Sequence, residues 1–255
     1  MSDHHDLIRD QFTRQAVPFS TAPAIADEAM LQALVEATGA GPDDTSLDVA
    51  CGPGLVVCAF AGVVRHATGI DLTPAMIERA RQLASERALA NVTWRVGDVV
   101  PLPWPDSSFS IVTSRYAFHH FQEPAAVLAE MRRVCRPGGV VAVMDLTSSP
   151  EPARAQKMNR MAKLLDPSHV WALTPADLEA LFGQVGLPAP QSARHRLEVE
   201  LEGVLARSFP NPGDDDVVRR MFAESLSDDA MALDARRVGE RIRFAYPVVT
   251  LVARR

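Results

Sequence analysis

The sequence predicts an α/β protein with a mostly parallel sheet and helices on both of its faces. Short β-branched runs alternate with amphipathic helical patterns across residues 46–146, and such alternation is typical of a parallel sheet. A turn of sequence Cys51-Gly52-Pro53-Gly54 joins the first predicted strand to a helix. These two observations define the fold class and place a candidate ligand site at a strand-to-helix turn.

The composition is that of an ordinary folded protein. The chain has 255 residues, 47% of them hydrophobic and 23% charged, and a formal net charge of -6. These values exclude global disorder, and the acidic balance disfavours a nucleic-acid partner, which would need a basic face. Three cysteines without a CxxC pair disfavour a disulfide scaffold, and we expect no metal site.

The sequence shows no pattern for crossing or entering a membrane. Its longest apolar run, residues 55–64, is shorter than the roughly 20 residues that span a bilayer. The first nine residues are mostly polar or charged, unlike a secretory signal. We therefore expect a cytoplasmic protein.

Local signals predict the elements of the first half. The N-terminal part suggests a helix over residues 6–12 and a second helix from about Thr21, with Pro23 in its first turn. Thr73 is a candidate N-cap for a later helix, and Pro74 suits its first position. The patterns predict strands at residues 46–50, up to 72, 92–96 and 109–114, and helices at 55–61, from 74, and at 124–134.

The second half is less regular. A sharp turn at residues 136–139 precedes a β-branched strand at 140–146. The later patterns predict helices at residues 153–165, 174–185 and 217–226, and strands at 197–201 and 246–253. About 40 residues separate the last two strands, which is too long for a hairpin loop. We predict one domain over residues 1–255, with a core at 45–146 and a lid formed by residues 1–40, 147–173 and 202–240.

The strongest functional signal is the segment from Asp48 to Gly54. Glycines at this turn allow a ligand to approach the backbone at the carboxyl ends of the strands, although a tight turn alone would also explain them. Asp71 ends the second predicted strand, where a carboxylate accepts hydrogen bonds from a ribose diol or simply begins a helix. The pair predicts an adenosine-containing ligand, and both NAD and S-adenosylmethionine satisfy it. The GxGxxG order of NAD-binding loops is missing after Gly54, which disfavours NAD.

Four segments carry a family resemblance. They are Asp48-Val49-Ala50-Cys51-Gly52-Pro53-Gly54, Gly69-Ile70-Asp71-Leu72-Thr73, Gly97-Asp98-Val99 and Arg133-Val134-Cys135-Arg136-Pro137-Gly138-Gly139. In this order and spacing they resemble class I S-adenosylmethionine-dependent methyltransferases, above all the branch of ubiquinone and menaquinone C-methyltransferases. The resemblance implies a Rossmann-like, seven-stranded, mostly parallel sheet with a C-terminal antiparallel hairpin. Ala50 departs from the pattern, because many members have glycine there.

The resemblance also implies a set of cofactor-binding residues for S-adenosyl-L-methionine. Ala50, Gly52 and Gly54 would line its methionine part together with Ser114 and Arg115, and Asp71 would bind the ribose. Leu72 and Met76 would flank the adenine. Asp98 would accept a hydrogen bond from the adenine amino group, and Val99 would lie beside the ring. Asp48 opens the first motif and belongs to the same set. Core packing alone would also explain Leu72, Met76 and Val99.

Candidate catalytic groups follow the fourth predicted strand. The segment Tyr116-Ala117-Phe118-His119-His120 lies where the acceptor should sit, and an imidazole there can accept a proton. His169 offers a further imidazole from the predicted lid, and Asp145 at the end of the fifth strand can orient a substrate or a histidine. Structural explanations stand beside these: a bracing role for His120, a surface turn for His169 and a buried cap for Asp145.

The sequence leaves several functions open. The first is methyl transfer to a small organic molecule through an oxygen, carbon, nitrogen or sulfur atom, by a protein that forms a homodimer or acts alone. The second is a methyltransferase fold that binds the cofactor without transferring the methyl group, as a pericyclic catalyst, sensor or assembly partner. A nucleotide-dependent oxidoreductase is a third reading. Arsenite methylation through the cysteines is disfavoured, because Cys51 and Cys135 have the character of small buried hydrophobes.

Overall fold

The computed structural model describes residues 2–255, so Met1, the first residue of the predicted lid segment 1–40, lies outside the described residues. The helices are α1 (Ser2–Thr21), α2 (Glu28–Thr38), α3 (Leu55–Ala61), α4 (Pro74–Glu86), α5 (Pro124–Val134), α6 (Pro152–Leu165), α7 (Pro175–Gln184), α8 (Leu201–Ser208) and α9 (Asp214–Asp228). The strands are β1 (Thr45–Val49), β2 (His66–Asp71), β3 (Val92–Val96), β4 (Phe109–Arg115), β5 (Cys135–Leu146), β6 (Gln191–Glu200), β7 (Arg236–Val238) and β8 (Arg241–Arg254). A single 3₁₀ turn spans Phe118–His120.

The strands of residues 2–255 form one eight-stranded sheet. Its order is β3-β2-β1-β4-β5-β8-β6, with the short β7 paired only to β8. Strands β1 to β5 are parallel, and β8 runs antiparallel to β5 and β6. The predicted α/β class with antiparallel C-terminal strands is therefore confirmed. The strand order reverses beside β1, and ligands in open α/β sheets bind at the carboxyl ends of strands at such a point.

Helices cover both faces of the sheet, and each face has its own apolar core. Leu47 and Val49 of β1 pack on one side with Leu128 and Met131 of α5. The other side holds a larger cluster that includes α2 and α3 and the C-terminal aromatics, such as Phe244. All seven residues of β4 are buried, as a central parallel strand requires. The sheet therefore holds the strand ends, and the loops that follow them, in fixed positions.

Three predicted elements have the bounds expected from periodicity, namely α3, β3 and α5. The predicted N-terminal helices were wrong in extent. Helix α1 runs through Pro18 to Thr21, well beyond residues 6–12. The second helix begins at Glu28 and not near Thr21, because the Asp27 carboxylate caps it by accepting from two backbone N–H groups.

The second half contains further corrections. The predicted turn at residues 136–139 lies inside β5, where a register shift bulges the strand against β4 and Gly138 has φ +75°. Strand β6 begins at Gln191, before the predicted 197, and Leu201 belongs to the next helix. Helix α8 and strand β7 were not predicted.

The N-terminal helix and the two later insertions meet at the carboxyl edge of the sheet. Helix α1 packs on α4 and α8, and α6 packs on α9. A lid function for these segments stays a prediction. Among residues 2–255, no helix is long and apolar enough to cross a membrane.

Candidate active site

A cleft opens at the carboxyl ends of β1, β2 and β4. The empty volume of the cleft, including its mouth that opens to solvent, is about 820 Å³. Strand ends and their following loops form its floor, and Ile8, Phe12 and Phe19 of α1 form an apolar wall. Nine of the predicted cofactor-binding residues line this cleft: Asp48, Ala50, Gly52, Asp71, Leu72, Met76, Asp98, Val99 and Arg115.

The turn between β1 and α3 has an unusual backbone. Ala50, Gly52 and Gly54 all have positive φ, at +56°, +51° and +81°. The left-handed conformation explains why glycine suits these positions, and at Ala50 it is strained for a residue with a Cβ. Residues 50–53 of this turn line the cleft.

Gly54 serves packing and does not line the cleft. A Cβ atom there would lie 2.5 Å from the Trp94 indole and 2.8 Å from the Ala80 side chain. Such distances are far below van der Waals contact. The structure therefore explains Gly54 by close helix–strand packing, and its predicted contact with the cofactor gains no support from the geometry.

Asp71 ties the glycine turn to the start of α4. Its Oδ2 accepts from the Gly52 backbone N–H at 2.9 Å, and its Oδ1 accepts from the Thr73 backbone N–H at 2.8 Å. Burial raises the pKa of Asp71, while these backbone hydrogen bonds oppose the rise. Thr73 occupies the predicted N-cap position, but its Oγ1 makes no capping bond. The bond to Asp71 fixes the residue that precedes α4 and does not cap the helix itself.

Asp48 is a buried carboxyl group at the base of the cleft. Thr113 Oγ1 donates to its Oδ1 at 2.8 Å. Burial raises the pKa of Asp48 to about 7, against the lowering effects of the Thr113 hydrogen bond and the Arg115 charge. A bound cation beside Asp48 would favour its ionised form.

Arg115 and Tyr116 carry donors without partners. The Arg115 guanidinium is buried, and its Nη1 donates to the Ile25 carbonyl at 3.0 Å. Among residues 2–255, its Nε and Nη2 and the Tyr116 hydroxyl have no hydrogen-bond partner, and the guanidinium lies 4.3 Å from the centre of the Tyr116 ring. Unpaired buried donors are costly, so this part of the cleft suits an anionic ligand group such as a carboxylate.

The far end of the cleft holds Asp98, Val99, Leu72 and Met76. Asp98 Oδ1 accepts from the Val99 backbone N–H at 2.6 Å, and its Oδ2 lies 3.7 Å from His5 Nδ1 of α1. Met76 and Val99 are buried and Leu72 is half-buried. The apolar side chains and the nearby Asp98 carboxylate can hold a flat heterocycle.

Ser114 does not face the cleft. Its side chain is fully buried, and its Oγ donates to the Val49 carbonyl at 2.9 Å. This bond ties β4 to β1. The geometry gives Ser114 a role in positioning strands, and gives no support to its predicted contact with the cofactor.

His119 pairs with Asp145 beneath the cleft. Its Nδ1 lies 2.6 Å from Asp145 Oδ1, and Asp145 also accepts from the Phe118 and His119 backbone N–H groups. Burial alone would lower the pKa of His119, but the Asp145 charge and hydrogen bond outweigh it and raise that pKa above its ordinary value. Asp145 thus contacts a histidine, which is one of the roles that its position at the end of the fifth strand suggested.

His120 lines the cleft and stands in a chain of side chains. Its Nδ1 lies 3.1 Å from Ser168 Oγ, which donates to Asp166 Oδ1 at 2.5 Å. Gln15 of α1 donates to the other Asp166 oxygen at 3.0 Å. Phe12 packs edge-on against the imidazole, with ring centroids 5.0 Å apart.

His169 is buried behind the other two histidines. Its Nε2 lies 2.8 Å from Asn159 Oδ1. The Asn159 amide nitrogen donates to the Ala155 and Ala172 carbonyls, which fixes the amide orientation. Burial and the neighbouring histidines lower the pKa of His169 to about 2. His169 is therefore a buried neutral donor rather than a residue of a surface turn.

The structure brings the three predicted histidines together, although the sequence separates the third from the pair. Ring centroids lie 4.2 Å apart for His119 and His120 and 5.6 Å apart for His119 and His169. The partners Ser168, Gln15 and Asn159 were missed. Ser168 follows Asp166 by two residues, a spacing typical of an Asx turn, and that signal was present in the sequence.

The three cysteines occupy different elements of the fold. Cys51 lines the cleft, Cys58 lies in α3 and Cys135 begins β5. Burial raises the pKa of Cys58 and of Cys135 to about 11, and raises that of Cys51 well above its usual value. All three thiols stay protonated at neutral pH.

The fold and the cleft together define the class of protein. An open sheet of order 3-2-1-4-5 extended by an antiparallel strand, with a glycine turn after β1 and an acidic residue after β2, is the arrangement of class I S-adenosylmethionine-dependent methyltransferases. The model of a family described as a methyltransferase domain matches residues 47–143. The matched residues contain all four motif segments, and S-adenosylmethionine is the cofactor.

Two relatives show how far the similarity extends. An uncharacterized methyltransferase of Bacillus subtilis, YcgJ, is 25% identical over 94% of this chain and 96% of its own length. Its crystal structure superposes with a TM-score of 0.83, covering 89% of this chain and 98% of that one. The ubiquinone/menaquinone biosynthesis C-methyltransferase UbiE of Roseobacter denitrificans is 37% identical, over 42% of this chain and 44% of its own length.

A third comparison concerns the fold alone. Geranyl diphosphate C-methyltransferase from Streptomyces coelicolor, solved with Mg²⁺, geranyl diphosphate and S-adenosyl-L-homocysteine, superposes with a TM-score of 0.65 at 17% identity. The superposition covers 90% of this chain and 78% of that chain. The fold thus extends well beyond the matched domain.

Proposed function

We propose that the protein transfers the methyl group of S-adenosylmethionine to a small organic acceptor bound in the same cleft. One observation carries this proposal. The cleft joins the acidic and glycine-rich cofactor end to His120, beneath an apolar wall contributed by α1. A covered cleft of this size suits a compact acceptor rather than a polymer.

The residues present fit the cofactor. Asp71 would hold the ribose hydroxyls, while Leu72, Met76 and Val99 would enclose the adenine and Asp98 Oδ2 would accept from its amino group. The unpaired Nε and Nη2 of Arg115 fit the carboxylate of the methionine part. Asp48 lines the same cleft, where its carboxylate would balance the positive charge of the cofactor's ammonium and sulfonium groups.

The glycine turn would support the same assignment through its backbone. Ala50 and Gly52 line the cleft with left-handed backbones, so main-chain atoms approach the ligand without a bulky side chain between them. Gly54 and Ser114 would act indirectly, by holding α3 and β4 in place.

The bound cofactor supplies a methyl group on a sulfonium leaving group. The chain's own part is to hold the acceptor close and in line, which lowers the entropic barrier. Ile8, Phe12 and Phe19 would exclude water from above. Tyr116, His119, His120 and His169 are the candidate groups for handling a proton, and they differ in their access to the cleft, since Tyr116 and His120 line it.

The relatives agree with a small acceptor. One carries the name of a ubiquinone/menaquinone biosynthesis C-methyltransferase, and a structural neighbour was solved with geranyl diphosphate. The net charge of -6 disfavours a nucleic-acid acceptor. Whether two copies form a homodimer is tested by sedimentation of the purified chain.

Calorimetry with S-adenosylmethionine tests the cofactor site, and we expect saturable binding by the folded protein. Incubation with methyl-labelled cofactor and a metabolite extract then tests transfer. Label recovered in a small product supports the proposal. Binding without turnover in such extracts would support the alternative of a cofactor-binding fold that transfers no methyl group, and absence of binding would contradict both.

A further inference from the structure

We propose that His120 is the general base of the reaction, acting through Nε2, and that Ser168 and Asp166 hold it in the required tautomer. The acceptor is then a nucleophile that carries a proton on the atom that becomes methylated. This inference rests on the proposed function and narrows its substrate class. Ser168 and Asp166 are positioning residues in this scheme.

The hydrogen bonds around Ser168 fix the tautomer. A serine hydroxyl has one proton, and the 2.5 Å bond directs that proton to the Asp166 carboxylate. Ser168 Oγ can therefore only accept from His120, across the 3.1 Å contact with Nδ1. The proton of a neutral His120 then resides on Nδ1, and Nε2 carries the lone pair.

The free nitrogen of His120 has access to the cleft. The residue lines both the main cleft and the groove that continues from it past Asp98 and Phe121. Within residues 2–255, Nε2 has no hydrogen-bond partner, and it is absent from the buried atoms that lack one. A lone pair in an accessible position is what a general base needs.

Helix α1 holds the base in place from above. Gln15 donates to Asp166 Oδ2 at 3.0 Å, and Phe12 packs on the His120 ring. His4 Nε2 lies 2.9 Å from the His120 carbonyl oxygen. The same helix that walls the cleft therefore also orients the base.

Burial, more than the surrounding charges, keeps the resting base neutral. Burial and the neighbouring His119 lower the pKa of His120 to about 4, while Asp166 and the more distant Asp145 oppose this effect. His169 is neutral and adds no charge. On accepting a proton, the imidazolium would be stabilised through Nδ1–H, Ser168 and the Asp166 carboxylate.

The other candidates are less suited to the role. His119 uses Nδ1 for Asp145 and is absent from the residues that line the cleft, and His169 directs Nε2 to Asn159. Burial raises the pKa of Tyr116, so its hydroxyl remains protonated at neutral pH. His120 alone among the four combines a lone pair with access.

The chemistry balances as follows. The acceptor atom, bearing a proton, forms a bond to the methyl carbon while the carbon–sulfur bond breaks, and the electron pair stays on sulfur in S-adenosylhomocysteine. His120 Nε2 takes the acceptor's proton and later releases it to water. A hydroxyl, a thiol, an acidic C–H group or an N–H group fits this scheme. A thioether or tertiary amine does not, because it has no proton to lose.

The tautomer can be measured without any acceptor. Long-range ¹⁵N–¹H correlation spectra of the histidine side chains at pH 7.5 should show His120 with its proton on Nδ1. Ser168→Ala should shift His120 toward the Nε2–H form, whereas Ser225→Ala should not. Ser225 is as buried in α9 as Ser168 is in its loop, but its Oγ has no hydrogen-bond partner in the described part of the chain. A native His120 protonated on Nε2 would overturn the assignment.

Transfer of label from methyl-labelled cofactor in a metabolite extract tests the base itself. We expect His120→Gln to lower the rate of product formation by about 10²-fold or more, the size of a general-base contribution. The cofactor dissociation constant should stay within about threefold of the unmodified protein. His195→Gln, on the distant β6, is the matched control and should leave both quantities unchanged.

The mass of the labelled product identifies the acceptor class. Replacement of a proton by a methyl group gives a product with no new fixed charge, whereas a sulfonium or quaternary ammonium product would overturn the inference. An undiminished rate in His120→Gln would overturn it as well, and would leave the proposed methyl transfer standing. Cofactor binding with no labelled product from any extract would instead refute the proposed function, and the base with it.

Discussion

The two ends of the cleft are built in different ways. The cofactor end is made by the ends of β1, β2, β3 and β4 and the loops that follow them, and the glycine turn after β1 is tied by its backbone to Asp71. The histidine end is made by side chains from five separate segments: α1, the 3₁₀ turn at Phe118–His120, the end of β5, α6 and the loop at residues 166–172. The first end follows from short local motifs at neighbouring strand ends, whereas the second depends on the packing of distant segments. Changes at one end should therefore leave the other end working.

The largest expected effect is on the packing that supports the glycine turn. Gly54→Ala places a Cβ 2.5 Å from Trp94 on a backbone with φ +81°. We expect a loss of about 3 kcal/mol in the free energy of unfolding, from strain and overpacking together. Gly183→Ala is the matched control, because its Cβ meets nothing within 4 Å inside α7, and it should stabilise slightly. Urea denaturation measures both, and equal effects would contradict the packing argument.

The next largest effect is on the affinity for the cofactor. Asp71→Asn keeps the shape of the side chain but replaces one accepting oxygen by a donor that faces a backbone N–H. We expect the affinity for S-adenosylmethionine to fall by roughly 30-fold, the value of a charge-assisted hydrogen bond or two. Calorimetry on the folded variant measures it. An unchanged affinity would remove Asp71 from the cofactor site.

The third effect is on the stability of the ligand-free protein and concerns Asp48. Because burial raises its pKa from 3.8 to about 7, the folded chain binds this proton more tightly than the unfolded chain. The resulting stability is present at low pH and is lost as the pH rises toward 7. Asp48→Asn should therefore stabilise the ligand-free protein by roughly 2 kcal/mol at pH 8, after allowing for Arg115 losing its neighbour.

The pH dependence is the diagnostic part of that prediction. Melting curves should show the gain of Asp48→Asn shrinking as the pH is lowered toward 5. Glu240→Gln, a surface change in the turn before β8, removes a similar charge and should show no such trend. A gain in Asp48→Asn that is independent of pH would contradict the raised pKa.

The smallest effect concerns the one departure from the family pattern. Ala50 has φ +56° in the cleft, and Ala88 has φ +53° in an exposed turn. Glycine at either position should relieve the left-handed strain and gain under about 1 kcal/mol. Matched gains with little change in cofactor affinity would show that Ala50 costs stability alone. A large change in affinity for Ala50→Gly would give its methyl group a role in binding.

The sequence predicted the parallel part of the fold well, because each element there is a continuous pattern. Strand β3 and helix α5 have the expected bounds, since periodicity and Pro124 define them locally. Strand β6 was predicted too short, because its first residues are polar and exposed on an edge. Helix α8 was missed, since eight residues containing a glycine give too short a pattern, and α1 was cut short although Pro18 lies inside it.

The site divides in the same way. Nine of the predicted cofactor residues line one cleft because they lie at or near the carboxyl ends of neighbouring parallel strands. Gly54 and Ser114 lie near the same strand ends but face α4 and β1, and a sequence pattern does not show on which side a residue lies. The partners of His120 come from residues 15 and 166–168, and only the packing of α1 against the cleft brings them to residue 120. No local pattern in the sequence predicts these long-range contacts.

The most direct test measures cofactor affinity and labelled product together in Asp71→Asn and His120→Gln. We predict that Asp71→Asn weakens S-adenosylmethionine binding by roughly 30-fold. His120→Gln should keep that affinity and lose about 10²-fold or more of the transfer rate. If His120→Gln weakened cofactor binding as much as Asp71→Asn does, or if the unmodified protein did not bind S-adenosylmethionine, the division of the cleft into a cofactor end and a histidine end would be wrong.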